Sequence, residues 1–282
     1  MSFNIERYLE ESRKLDTTGI QWERAKDYPL EPGALHCMHY MMDIETHTSI
    51  YLSELLVSKA CMDPVITAFL SCWVYEELWH GEYFSKFLRS YGIDVDPDRA
   101  GKLRRGLGFK RPAMVMTILF GSYLLPDFSA VYLTIGALNE MSTLTGYQQL
   151  ARKTKHPVLI DLLSRIIKDE RRHFAFYRSM ASQVLEGSGR ARWMTRFALN
   201  NYWRPVGAET KPLSDVDQLA VYLFSDSIGL SAAKKVEDTI NKLPGLDGIG
   251  LLYKEALLAL KRSGITPPPL ATEEQVAAEE VA

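Results

Sequence analysis

The chain has 282 residues, 46% of them hydrophobic and 24% charged, which is enough apolar material for one large domain or two ordinary ones. A formal net charge of −2 excludes the strong cationic field of a general nucleic-acid-binding protein. The three cysteines form no Cys-x-x-Cys pair, which indicates free thiols in a reducing compartment. No signal peptide is predicted, and Pro126 divides the most apolar segment, 113–137, so we expect a cytoplasmic protein without a membrane span.

Helix-type spacing of apolar residues runs through most of the chain and predicts an all-α fold. One or two short amphipathic helices are expected over 5–27, and a loop or short helix over 98–112. Two buried helices are expected within 113–137. The remaining helices are expected at about 35–59, 64–91, 128–153, 158–187, 190–202, 214–242 and 247–263. We predict one domain over 1–265, with a core bundle at about 35–187, and a disordered tail over 266–282.

Two copies of the motif Glu-x-x-His carry the first chemical signal. They are Glu77 with His80 and Glu170 with His173, and each lies in a predicted long helix. Residues three positions apart share a helical face, so each motif can direct a carboxylate and an imidazole at the same point.

Two further glutamates lie on the helices that precede the two motifs. Glu45 precedes the first motif and Glu140 precedes the second, so a Glu helix followed by a Glu-x-x-His helix occurs twice. This is a known ligand arrangement for dinuclear carboxylate sites in four-helix bundles. The predicted metal ligands are Glu45, Glu77, His80, Glu140, Glu170 and His173. Carboxylate and imidazole ligands suit two iron ions, and they also accept manganese.

The symmetry of the duplicated motif predicts different roles within the ligand set. We expect Glu77 and Glu170 to bridge two metal ions, with the other ligands at the two ends. An acidic residue stands directly before each bridging glutamate, Glu76 in one copy and Asp169 in the other. We expect these two acids to accept the second imidazole N–H of each histidine across the bundle.

The sequence contains two basic clusters, and the first has two interpretations. The first comprises Arg99, Lys102, Arg104, Arg105, Lys110 and Arg111, and within its own segment only Asp98 opposes it. It is either a solvated surface or a docking patch for an acidic partner or a phosphate-bearing substrate. The second cluster follows the fourth long helix and comprises Arg190, Arg192 and Arg196.

The two motifs resemble signatures of the soluble acyl-acyl-carrier-protein desaturases of the ferritin-like superfamily. The segment 76–81, Glu-Glu-Leu-Trp-His-Gly, is similar to the acidic-Glu-x-x-His-Gly signature, and 169–173 is similar to Asp-Glu-x-Arg-His. Thr143 follows Glu140 by three residues, as does a threonine of that family beside the oxygen-binding face. The resemblance covers about residues 38–186, and the region after 190 shows no match.

The resemblance implies a ferritin-like four-helix bundle with two iron ions and additional peripheral helices. It implies an oxygen-dependent enzyme that desaturates a fatty acyl group on a carrier protein, in a homodimer, with Thr143 as a catalytic residue. No dinucleotide-binding fingerprint occurs, so electrons would come from an external ferredoxin or reductase. We expect Arg104 and Arg105 to bind the acidic carrier. The expected lining of the acyl cavity is Met116, Phe120, Leu133, Phe174 and Tyr177.

Other di-iron functions share this ligand set. A hydroxylase or N-oxygenase acting on a small molecule or a carrier-bound substrate is the main alternative. A ferroxidase or iron-storage protein is a further one, although such chains are usually shorter. A ribonucleotide reductase subunit is disfavoured, because Phe84 occupies the position of its radical tyrosine.

Overall fold

The computed structural model describes residues 3–56, 58–106, 110–125 and 127–281. These residues form twelve α-helices and no strand, in agreement with the all-α prediction. The helices are α1 (Ile5–Glu11), α2 (Pro32–Leu56), α3 (Pro64–Tyr91), α4 (Arg99–Gly106), α5 (Lys110–Leu124), α6 (Ser129–Thr154), α7 (Pro157–Gly187), α8 (Gly189–Asn201), α9 (Leu213–Phe224), α10 (Ser227–Asn241), α11 (Leu252–Arg262) and α12 (Glu273–Val281). Short 3₁₀ helices cover Trp22–Asp27 and Lys59–Met62.

The four longest helices, α2, α3, α6 and α7, pack together in the centre of the protein. Short connections join α2 to α3 and α6 to α7, so the members of each pair run antiparallel and pack closely along their length. Contacts of α3 with α7 and of α2 with α6 join the two pairs. This arrangement directs one face of each helix towards a common interior.

Local sequence signals fix where α3 and α7 begin. Asp63 accepts hydrogen bonds from the backbone N–H groups of Val65 and Ile66, and Pro64 occupies the first helical position. His156 caps α7 in the same way through its Nδ1, which accepts from the N–H of Leu159 at 3.2 Å. Because each metal motif lies within one of these helices, the caps also set the position of the ligands along the bundle.

The peripheral helices differ from the expected ones in two places. The helix expected over 214–242 is divided into α9 and α10, because Asp226 caps a new helix by accepting from the N–H of Gly229 at 2.7 Å. The tail expected to be disordered contains α12. Thr272 and Gln275 form a reciprocal capping box at its start, with side-chain to backbone distances of 2.9 and 3.3 Å.

One continuous apolar core surrounds the central bundle. Stacked aromatic rings occupy its middle; the centroids of Phe69 on α3 and Phe176 on α7 lie 3.6 Å apart. Trp22, from the N-terminal segment, stacks on Tyr83 of α3. Among the helices of the described segments, none has the length and apolar character needed to cross a membrane.

Candidate metal centre

The central helices bring two overlapping groups of donor side chains together. The first group contains Glu45, Glu77, His80 and Glu170, and the second contains Glu77, Glu140, Glu170 and His173. Within each group, one donor atom from every residue lies within 4.8 Å of the others. All six predicted ligands therefore converge, and we call them the ligand cluster. Glu77 and Glu170 belong to both groups, which is the arrangement that bridging carboxylates require.

The ligand cluster contains buried donor atoms that have no hydrogen-bond partner. Each of the six residues is at most 6% exposed. Four buried atoms have no hydrogen-bond partner: Nδ1 of His80, Nδ1 of His173, Oε1 of Glu77 and Oε1 of Glu170. These atoms face one another; His173 Nδ1 lies 2.9 Å from Glu77 Oε1. Leaving buried polar atoms unpaired destabilises a protein, and metal ions bound within the two groups would provide a partner for all four atoms.

Two acids outside the cluster orient the imidazole rings. Nε2 of His80 lies 3.2 Å from Asp169 Oδ2, and Nε2 of His173 lies 2.8 Å from Glu76 Oε2. Each contact joins α3 to α7, as the sequence analysis expects. With the proton on Nε2, each ring donates to its acid and leaves Nδ1 free to bind a metal ion.

A second layer of donors holds these two acids, and sequence reasoning missed it. Arg172 donates to Glu76 Oε1 at 2.8 Å and to Asp169 Oδ1 at 2.6 Å, which links the two acids. From α1 and the residue that follows it, Tyr8 and Ser12 donate to Glu76 at 2.8 and 2.9 Å. The position of Arg172 in the second motif was a local signal for its role. The two α1 contacts span 68 and 64 residues and had no signal in the sequence.

An aromatic side chain donates a hydrogen bond to each end carboxylate. Trp73 Nε1 on α3 donates to Glu140 Oε1 at 3.0 Å, and Tyr147 on α6 donates its hydroxyl hydrogen to Glu45. Trp73 lies one helical turn before Glu77, so its direction towards the cluster follows from helix geometry. In both carboxylates, the second oxygen remains available to bind a metal ion.

The electrostatics of the cluster also favour the binding of cations. Burial raises the pKa of Glu45, and the neighbouring charge of Glu77 raises it further. Burial likewise raises the pKa of Glu140. Burial alone would lower the pKa of His80, but the nearby carboxylates of Asp169, Glu170 and Glu77 outweigh burial and raise it well above the ordinary value. Burial thus favours the protonated forms of Glu45 and Glu140 unless a cation lies beside them, and two divalent ions would balance the charges of four carboxylates.

The donor set therefore fits a dinuclear metal site. Each half offers three carboxylates and one imidazole, which are ligands for iron, manganese or zinc. Each imidazole ring has a partnerless Nδ1 atom and a tautomer fixed by its acid, as metal ligation requires. The identity of the ions does not follow from the ligands alone.

A cavity of about 270 Å³ lies beside the cluster. The carboxylates of the cluster form one wall. The side chains of Trp73, Ile118, Val131, Tyr132, Ile135 and Tyr177 make the other walls mainly apolar. A second, mainly apolar cavity of about 250 Å³ lies among α2, α6, α9 and α11. Thr143, Ile44 and Val206 line both cavities, so Thr143 stands between them and beside the metal ligands.

The predicted lining residues lie in different places. Tyr177 lines the cavity at the cluster, whereas Leu133 is buried in the general core and Phe174 lines an open groove beside α1. Met116 and Phe120 are about half exposed on the outer face of α5. Ile118 lines the cavity instead, because it lies on the opposite side of the same helix. The apolar run of α5 has no period that identifies its inner face.

The first basic cluster has more acidic partners than its own segment suggests. Arg99 of α4 binds the buried Asp43 of α2, with Nη2 2.6 Å from Oδ2. Arg105 is exposed and pairs with Asp98. The side chain of Arg104, like those of Lys110 and Arg111, lies outside the described residues. The structure therefore assigns no ligand-binding contact to this segment.

Neither a scan of protein-family models nor a search of curated proteins finds a match to this chain. The argument for function consequently depends on the ligand cluster and its surroundings.

Proposed function

We propose that the protein is an oxygen-dependent di-iron oxidase that desaturates a fatty acyl chain bound to a carrier protein. The observation that carries the proposal is the ligand cluster, with its two shared carboxylates and two partnerless imidazole nitrogens beside an apolar cavity. The reaction class comes from the desaturase resemblance of the two motifs, in a ferritin-like arrangement of the four central helices.

Two bound iron ions would supply the capacity to reduce dioxygen and oxidise an unactivated C–H bond. The overall reaction converts –CH₂–CH₂–, O₂, two electrons and two protons into –CH=CH– and two molecules of water. An external ferredoxin or reductase would deliver the two electrons.

The protein's own residues contribute position and exclusion of water. Apolar side chains such as Ile135 and Tyr177 would hold the alkyl chain against the cluster and keep the site dry. Glu76 and Asp169 would keep the imidazole rings in one tautomer during turnover. Thr143, which lines both cavities, would present its hydroxyl group on the substrate side of the cluster.

The test is mass spectrometry of acyl-carrier-protein substrates after the iron-loaded, reduced protein meets oxygen. Loss of two hydrogens, absent in Glu170→Ala, is the expected result. Gain of one oxygen atom would show that the protein hydroxylates the substrate at this site and does not desaturate it. A protein that binds two irons but changes no acyl substrate would refute the acyl-chain proposal and leave the metal site intact.

A further inference from the structure

An unusual number of large apolar side chains is exposed on α5 and α8. We call them the aromatic surface, and each is at least 46% exposed: Met116, Phe120, Tyr123, Leu124, Leu125, Trp193, Phe197 and Tyr202. Leu124, Trp193 and Tyr202 are about 70% exposed. Single exposed apolar residues are common, but several on each of two neighbouring helices indicate an interaction site.

Helix geometry places these side chains on the outer faces of both helices. Met116, Phe120 and Leu124 recur every four residues along α5 and therefore share one face. On α8, the rings of Trp193 and Phe197 are also four residues apart and stack with centroids 5.8 Å apart. Both helices thus direct large apolar side chains away from the protein.

The end of α5 and the start of α8 meet at Asp127. Ser188, which caps α8, donates to Asp127 Oδ2 at 2.7 Å, and Arg190 donates to the same atom at 3.0 Å. Leu124 and Leu125 lie immediately before this junction, and Trp193 lies one turn after it. The end of α5 and the first turn of α8 therefore lie next to each other.

The charges of α5 and α8 are of one sign. Neither helix contains an acidic residue, whereas α5 begins with Lys110 and Arg111 and α8 carries three arginines. Arg190 and Arg196 lie on the same face of α8 as Trp193. Arg190 pairs with Asp127, whereas Arg196 donates to the backbone carbonyls of Gly245 and Asp247. This local excess of cations contrasts with the net charge of −2 of the whole chain.

We propose that the aromatic surface binds the face of an anionic lipid bilayer. Its Trp, Tyr, Phe and Leu side chains would enter the boundary between headgroups and acyl chains, while the arginines beside them contact lipid phosphates. A second copy of the chain is a less suitable occupant, because a two-fold contact would bring the arginines of two α8 helices together. This inference does not depend on the proposed reaction.

The position of α5 connects this surface to the ligand cluster. Its outer residues Met116 and Phe120 belong to the aromatic surface, and Ile118 on its inner side lines the cavity at the cluster. A bilayer bound at α5 would therefore lie one helix away from the metal centre.

The experiment is flotation of the full-length protein with vesicles of phosphatidylcholine, with and without phosphatidylglycerol. We expect binding to the anionic vesicles that weakens as salt is added. Trp193→Ala with Phe197→Ala should weaken it at least tenfold, because two large apolar side chains no longer enter the lipid. The matched control, Leu258→Ala with Leu270→Ala, removes exposed apolar side chains elsewhere and should bind like the parent protein.

A second variant separates charge from apolar contact. Arg190→Gln with Arg196→Gln should lose affinity for anionic vesicles and leave the weak binding to phosphatidylcholine unchanged. Equal binding of the parent protein and the Trp193 and Phe197 double variant would overturn the proposal. So would a dimer, observed by sedimentation without lipid, that this double variant converts to a monomer. The proposal would also be overturned if an acidic protein displaced the anionic vesicles and the Trp193 and Phe197 double variant did not change the binding of that protein.

Discussion

Replacing Glu140 with glutamine should change stability in opposite directions in the metal-free and metal-loaded protein. Glutamine has the same shape and can still accept the hydrogen bond from Trp73, so the substitution removes a charge and little else. Glu140 belongs to only one of the two ligand groups, whereas Glu77 and Glu170 belong to both. The variant should therefore keep one metal ion per chain where the parent binds two.

The size of the effect follows from linkage. At a free metal concentration of 100 times Kd, each site contributes about 2.7 kcal/mol to the free energy of unfolding. Losing one site should lower Tm of the loaded protein by roughly 5–10 °C, at about 2–4 °C per kcal/mol. Without metal, the same substitution removes a buried carboxylate that faces other carboxylates, which should stabilise the protein by about 1–3 kcal/mol.

The assay combines metal analysis with calorimetry in the presence and absence of a chelator. Glu237→Gln is the matched control, because Glu237 is also buried but accepts hydrogen bonds from the backbone of Leu251 and Lys254. It should keep both metals and lose the same stability in both states. Two metals bound to Glu140→Gln, or destabilisation of that variant in both states, would refute the assignment of Glu140 as a ligand.

Three further substitutions test other parts of the structure. Thr143→Val should leave the metal content unchanged and lower the yield of product per oxygen consumed; an unchanged yield would limit Thr143 to packing. Glu76→Gln should weaken one metal site roughly 10–100-fold in a chelator competition, because His173 loses its charged partner, and unchanged affinity would contradict this role. Burial raises the pKa of Asp226, but hydrogen bonds from two cations of α6 outweigh burial and lower it to about 2. Asp226→Asn should cost about 1 kcal/mol at neutral pH, a value reduced for solvent exposure. This loss should disappear as pH falls from about 4 to 2, where the parent carboxylate gains its proton; denaturant unfolding across that range would measure it.

The parts of the site that the sequence predicts are those that helix geometry determines. The pairing of Glu77 with His80 needs only a spacing of three within one helix, and the acid before each bridging glutamate follows from the same motif. Tyr8 reaches Glu76 because α1 packs on α3, a long-range contact without a local pattern. The same limit explains the reversed prediction for Phe120, since a helix that is apolar on all sides does not indicate which face is inside.

The two halves of the ligand cluster are less alike than the duplicated motif suggests. Trp73 can only donate, so the oxygen of Glu140 that it contacts must remain an acceptor. Tyr147 can donate or accept, and its contact with Glu45 therefore survives protonation of that carboxylate. Either end carboxylate can keep its partner when its other oxygen is protonated, but only the hydrogen bond between Tyr147 and Glu45 can reverse its direction. The ligand set is therefore symmetric, whereas the hydrogen bonds that support its two ends are not.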